Sequence, residues 1–277
     1  MSMLAQLQQA AFEILCEFDA FCVRHKLTYY LCAGSLLGAV RHGGFIPWDD
    51  DIDVSMPRED YDKLMALGKQ FPKHLELLFH NNTAYYPLNF AKLTNADTTV
   101  IEQGGQHNYN IRGVYIDIFP IDGAGKTYKK AVLRRKRAAI YRHLIPIAAN
   151  VPDDKRRPFY KKVAIALIRK LNAKKLQNNF DSFLRRKPYK SSNFVAVYVG
   201  AYGLKEIMPQ AVYATPSRIA FCGKEFCAPA QVSSYLTTRF GDYMRLPPIE
   251  KRTSEHNFVY INLNLPFREY KGEFLQC

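Results

Sequence analysis

The stretch TYYLCAGSLLGAVRHGGFIPWDDDIDVSMP, residues 28–57, decides the fold. It reads as a strand (28–32), a turn on Gly34-Ser35, a short helix (36–41) and a Gly-rich loop. A second strand (51–56) follows and closes on Pro57. Four aspartates, Asp49, Asp50, Asp51 and Asp53, crowd the start of that second strand. Side chains alternate faces along an extended chain, so Asp49, Asp51 and Asp53 are expected on one face and Asp50 and Ile52 on the other. Three carboxylates on one face repel one another unless a cation sits among them, and a hard all-oxygen set suits Mg²⁺ or Mn²⁺.

A solvated acidic turn is the plainer reading. Against it, the carboxylates lie between Trp48 and the apolar Ile52 and Val54, a poor place for unneutralised charge. The Gly34-Ser35 turn precedes a helix, where free N–H groups and the helix dipole hold phosphate. Arg41 and His42 lie between that turn and the aspartates, and Arg41 can grip a phosphate with two parallel hydrogen bonds. A metal–phosphate site is therefore expected, with Gly34, Ser35 and Arg41 on the phosphate side.

Working outward, AGSLLGAVRHGGFIPWDDDIDV (33–54) resembles the signature of the LicD/fukutin family, phosphocholine and polyol-phosphate transferases of the nucleotidyltransferase superfamily. The superfamily pattern is a Gly-Ser turn, Asp-apolar-Asp on one strand, and a third carboxylate on a neighbouring strand. These match Gly34-Ser35, Asp51-Ile52-Asp53, and Asp117 within YIDIFPIDG (115–123). A late segment, FGDYMRLPPIEKR (240–252), shares the resemblance, and the middle of the chain is less distinctive. The resemblance implies an α+β fold: a nucleotidyltransferase-like mixed sheet flanked by helices, here with a basic helical insertion. It makes Asp51, Asp53 and Asp117 the catalytic and metal-binding set, with Asp49 a further ligand. It also places a basic residue, Lys92, near the donor phosphates; a surface lysine lying along its strand is the alternative. Asp117 lies between Ile116 and Ile118, where pairing with Arg112 is the structural alternative.

Around this stretch, 277 residues at 48% apolar suffice for a full core. Three segments are expected: a catalytic core (1–125), a basic helical segment (126–190) and a C-terminal part completing the site (191–277). Residues 3–26 have apolar positions at helical spacing, Leu4, Leu7, Ala11, Ile14, Leu15, Phe18, Phe21 and Cys22. A second helix is expected over 58–71, and strands over 75–80, 88–94, 98–103 and 113–119, with Asp122 in a Gly-rich turn. Residues 128–150 and 156–187 read as helices joined at Pro152-Asp153-Asp154. A strand over 194–199, a hairpin at 218–228 and a helix over 231–240 complete the chain. Cys222 and Cys227 flank the hairpin turn, but the six cysteines show no CxxC spacing, so reduced thiols are expected.

The net charge of +14 attracts polyanions without choosing among them. Lysines and arginines concentrate in the two helical segments, either as a solvated face or as a surface for anionic membrane. No apolar run is long enough to span a bilayer and the N-terminus lacks a leader pattern, so a cytoplasmic protein at the inner membrane face is expected.

What the resemblance implies in chemistry is transfer of a phospho-alcohol from a CDP-linked donor to a sugar hydroxyl with release of CMP. In bacterial relatives the group is phosphocholine, in animal relatives ribitol phosphate; the acceptor is a glycan, lipid-linked glycan or teichoic-acid precursor. Choline requires aromatic faces, and Trp48, Tyr29 and Tyr85 are candidates, with His256 a candidate substrate contact. Glycerol phosphate transfer, a nucleotidyltransferase acting on RNA or a small molecule, and a non-catalytic polyanion-binding protein are the competing readings. No nucleic acid is expected as the partner.

Overall fold

The computed structural model describes residues 2–83, 86–102, 111–149, 158–254 and 258–272. In chain order its elements begin with α1 (Met3–Arg24), β1 (Tyr30–Leu31), α2 (Ala33–His42), β2 (Asp53–Pro57) and α3 (Arg58–Leu67). There follow β3 (Leu75–Leu78), β4 (Ala91–Asn95), β5 (Thr99–Glu102), β6 (Ile111–Arg112) and β7 (Tyr115–Gly125). The basic helices are α4 (Tyr128–Ala148), α5 (Phe159–Ile168) and α6 (Ala173–Arg185). The C-terminal part holds β8 (Phe194–Ala196), β9 (Ile207–Pro209), β10 (Ser217–Phe221), β11 (Lys224–Ala228), α7 (Val232–Phe240) and β12 (Phe258–Asn262). The fold is α+β, a mixed sheet flanked by helices.

The main sheet runs β1-β2-β7-β4-β3, with β8 and β9 added on the far half of β7. β2 and β7 are parallel, and β4 pairs β7 antiparallel. β12 returns to pair with β5 in a smaller sheet, and β10-β11 is a separate hairpin. The apolar stripe of α1 (Leu7, Ala11, Ile14, Leu15, Phe18, Phe21, Cys22) is buried in the core shared with Ile52, Val54, Ile116 and Ile118. Ser2 caps this helix by accepting the Ala5 N–H. No helix among the described residues is long and apolar enough to cross a membrane.

Three departures from the sequence reading have physical causes. β7 does not stop at Phe119 but continues to Gly125, so Asp122 lies in a strand. Its composition resembles a turn, yet the chain stays extended because β8 pairs with it. Glycine is required at 123, where a Cβ would sit 2.4 Å from the carbonyl oxygens of Lys187 and Pro188. Asp122 is structural: Arg58 at the start of α3 grips both its oxygens at 2.7 and 2.8 Å. The second basic helix is two helices, because Asn172 accepts the Lys175 N–H and starts α6 afresh. Finally, α2 begins at Ala33, so Gly34 and Ser35 form its first turn rather than a separate one.

The five described cysteines are free thiols. Cys222 occupies the hairpin turn at φ +50°, whereas Cys227 faces Arg218 across the ladder, so the two are not strand partners. The expected turn at 152–154 lies outside the described residues.

Candidate active site

The site is assembled where the end of β1, the start of α2 and the start of β2 meet β7. Asp53 is in register with Asp117 across the parallel β2–β7 pair, and Lys92 with Asp117 across the antiparallel β4–β7 pair. Side chains in register share a face of the sheet. Carboxylate, carboxylate and ammonium therefore form one row across three strands. One oxygen each of Asp51, Asp53 and Asp117 lies within 4.8 Å of the others. Asp49, Asp50 and Asp51 form a second such group, and Asp51 belongs to both.

Asp49, Asp51 and Asp53 face one cavity, as the alternation predicts, while Asp50 and Ile52 are buried away from it. The β2 ladder starts only at Asp53, and one oxygen of Asp50 still lies beside those of Asp49 and Asp51. Asp50 is buried and accepts a hydrogen bond from the Ser254 hydroxyl. Gln8 of α1 fixes this loop by donating to the Asp49 carbonyl at 2.7 Å.

Electrostatics follow from that crowding. Burial first, then the Asp51 and Asp117 carboxylates, hold the Asp53 carboxyl well above the ordinary aspartate range. Lys92 and Asp117 are both buried, and the lysine Nζ donates to Asp117 Oδ1 at 2.5 Å. The same ammonium lies 3.5 Å from the centre of the Tyr115 ring. Lys92 is thus spent on Asp117 and does not border the cavity described below, unlike the donor-phosphate contact expected of it. Arg112, the alternative partner for Asp117, instead lies 3.4 Å from Glu102.

Asp49, Asp51 and Asp53 open on a cavity of about 700 Å³, and the buried Asp117 stands behind them. Gly34, Trp48, Asp49, Asp51 and Asp53 border it on one side. Its other walls bring cations (Arg41, Arg245, Lys251, Arg252) and aromatic faces (Tyr202, Phe240, Tyr243). Burial, then Arg252 nearby, pushes the Arg41 guanidinium below its usual range. Arg252 stacks over Trp48, its Cζ 5.6 Å from the ring centre. Any side chain at Gly34 would displace the Asp49 carboxylate: an added Cβ would lie 2.5 Å from Asp49 Oδ2.

Ser35 is buried, and its hydroxyl oxygen accepts the Asp53 N–H at 2.8 Å, which ties the first turn of α2 to β2. That bond leaves the hydroxyl proton to donate. Ala33, at φ +46°, is held by donating its N–H to the Tyr235 hydroxyl at 3.0 Å. Arg239 donates to the same Tyr235 oxygen at 2.8 Å and to both oxygens of buried Glu206 at 3.0 and 3.1 Å. Sequence reasoning missed this Glu206–Arg239–Tyr235 chain. Its one trace was an arginine four residues after a tyrosine on a short helix.

Tyr29 is not brought to the cavity. It is buried against Phe18 and donates to Asp19 Oδ1 at 2.6 Å, because β1 turns that side chain toward α1. Tyr85 and His256 lie outside the described residues. Arg245, Lys251 and Arg252 come from the late segment 240–252, whose Leu-Pro-Pro run lines the cavity.

Residues 26–148 match the sequence model described as the LicD/FKTN/FKRP nucleotidyltransferase domain. The chain is 29% identical over 260 residues to the lipopolysaccharide cholinephosphotransferase LicD of Haemophilus influenzae, a match covering 91% of this chain and 96% of that one. A shorter match, 44% identical over 57 residues, links it to the human ribitol 5-phosphate transferase FKRP, over 21% of this chain and 11% of that protein.

Proposed function

The chain belongs to the LicD/fukutin family of phospho-alcohol transferases, and from that premise we propose that it moves phosphocholine from CDP-choline to a hydroxyl of a cell-surface glycan or teichoic-acid precursor, leaving CMP. The observation that carries this reading is the convergence of Asp51, Asp53 and Asp117 beside a cavity with cationic and aromatic walls. Working at the cytoplasmic membrane face, in peripheral contact with anionic lipid, would give it access to lipid-linked acceptors.

The donor set fits Mg²⁺ or Mn²⁺: all ligands are carboxylate oxygens, and the raised Asp53 marks a cluster short of positive charge. Asp51, Asp53 and Asp117 would hold the ion, with Asp49 alongside. Bound there, it supplies Lewis-acid neutralisation of the donor diphosphate.

The remaining work falls to the protein. The first turn of α2, with Gly34 at the cavity wall, offers backbone N–H groups to the diphosphate. Arg41 and Arg252 offer guanidinium forks to the same oxygens. Trp48, Tyr202, Phe240 and Tyr243 supply faces for a quaternary ammonium. The acceptor oxygen attacks the phosphocholine phosphorus, the bond to the CMP oxygen breaks, and the acceptor proton goes to Asp117 if that carboxylate is not a ligand of the ion. Lys92, held on Asp117 Oδ1, keeps that carboxylate in place.

Ribitol phosphate is the second reading, favoured by the 57-residue match. The aromatic faces lining the cavity support choline, whose quaternary ammonium they suit. The test supplies CDP-choline, CDP-ribitol or CDP-glycerol with Mg²⁺ and an acceptor glycan, and assays CMP and pyrophosphate. CMP release with CDP-choline is expected. Pyrophosphate as the product, or no turnover with any CDP donor, overturns the reading.

A further inference from the structure

β7 carries Asp117 near one end and a different polar feature at the other. Ala124 and Gly125 border a cavity of about 460 Å³ whose walls hold six cations: Lys126, Lys130, Arg134, Arg137, Arg186 and Lys187. No carboxylate lines it. Among the described residues, the ion pairs involve other cations, and none of these six has an acidic partner within 4.0 Å. Seven residues of strand separate Ala124 from Asp117, roughly 23 Å at about 3.3 Å per residue, so this cavity is apart from the transfer cleft.

Five of the six are exposed, yet all six line one recess. One of them is also fixed by packing. Arg134 donates to the carbonyl oxygens of Phe183 and Leu184 at 2.5 and 2.8 Å. Its guanidinium lies 4.3 Å from the Phe183 ring centre. Arg134 Nε is buried beside the Tyr198 hydroxyl, so the guanidinium is held in place on this side as well. Leu133, Phe183 and Pro188 give the cavity apolar walls. A rigid guanidinium ringed by lysines recognises phosphate oxygens, and the apolar walls suit a phosphate carrying a carbon body.

We propose that this pocket, lined by Lys130, Arg134, Arg137 and Lys187, is a second site that binds the phosphate group of a phosphorylated organic molecule, separate from the transfer chemistry. A lipid headgroup and a soluble phosphate ester both present that chemistry.

The test titrates the full chain with inorganic pyrophosphate in EDTA by calorimetry. It compares the parent with Lys130→Ala/Arg137→Ala/Lys187→Ala, which leaves the packed Arg134 intact. Lys69→Ala/Lys73→Ala/Lys271→Ala removes the same charge elsewhere. Expected is at least tenfold weaker binding in the pocket variant and none of that loss in the charge control. Equal weakening in the control reduces the effect to net charge and overturns the site. So does binding that survives in the pocket variant and vanishes in Arg41→Ala/Arg252→Ala, which would place pyrophosphate in the cleft. A second arm sediments the same proteins with phosphatidylglycerol–phosphatidylcholine vesicles. Vesicle binding that falls with the pocket identifies a lipid headgroup, and vesicle binding indifferent to it identifies a soluble ester. Loss of pocket dependence in both arms overturns the proposal.

Discussion

Replacing Asp53 with asparagine should stabilise the metal-free protein while abolishing turnover. Asp53 shares its site with Asp51 and Asp117, each offering an oxygen within 4.8 Å. Lys92 offsets the Asp117 charge, and Asp51 is the carboxylate that acts most strongly on Asp53. Two unit charges 4.8 Å apart repel by about 3.5 kcal/mol at an effective dielectric constant near 20, which sets the scale of the gain. At about 2.1 cal/mol/K per residue, the unfolding entropy of 277 residues converts it to a rise of about 6 °C in Tm. The pH dependence has a definite sign. The folded-state pKa of Asp53 lies above the unfolded value, so the native state holds its proton more tightly. The parent therefore loses stability as pH climbs from about 4 through the folded-state pKa, and the asparagine variant lacks that loss. The gain should be small near pH 4 and full above the folded-state pKa. Added Mg²⁺ at about 100 times its Kd should return about 2.7 kcal/mol to the parent and much less to the variant. Thermal melts in EDTA and in Mg²⁺ at two pH values, with CMP release alongside, measure all of this. A variant no more stable than the parent in EDTA at pH 8, or one that keeps parental turnover, refutes the reasoning.

Gly34→Ala places a methyl 2.5 Å from Asp49 Oδ2; displacing that carboxylate should cut kcat/KM at least tenfold, about 1.4 kcal/mol of transition-state stabilisation, while steady-state kinetics and melts show the fold retained. Arg239→Met strands Glu206 in the core without its partner and should cost about 3–5 kcal/mol in urea unfolding; Arg239→Met/Glu206→Met should recover most of it. Trp48→Leu should raise KM for CDP-choline several-fold and leave KM for CDP-ribitol nearly unchanged, since a cation over an aromatic face contributes about 0.5–2 kcal/mol; equal effects on both donors would remove Trp48 from choline recognition.

Much of the local structure was legible because it is local. The apolar spacing of residues 3–26 marks one buried helical face, and the structure buries Leu7, Ala11, Ile14, Leu15, Phe18, Phe21 and Cys22 together, with Leu4 half-buried and the helix ending at Arg24. Asp122 misled on strand length because Pro-Ile-Asp-Gly-Ala-Gly has turn composition, and only the partner strand holds it extended. The basic helices misled in a different way. Arg135 looks like surface charge, yet it is buried and donates to the carbonyl oxygens of Tyr198, Gly200 and Gly203. Arg185 likewise bonds Asp62 and Asp181. Counting charge along a helix does not reveal which guanidinium groups find carbonyls or carboxylates in later parts of the chain.

By itself the sequence determined which chemical groups are available: a glycine-serine turn at a helix start, an Asp-Ile-Asp strand, a further aspartate between isoleucines, and a surplus of cations. Those follow from residue type and spacing over a few positions. Tertiary structure alone decided that Asp53, Asp117 and Lys92 stand in one row, because strand register is set by pairing among segments far apart in the chain. It likewise decided that Tyr29 faces the core, that Glu206, Arg239 and Tyr235 hold the start of α2, and that residues 240–252 close the cavity. Each of those outcomes depends on contacts between segments distant in sequence, which spacing within any one segment does not encode.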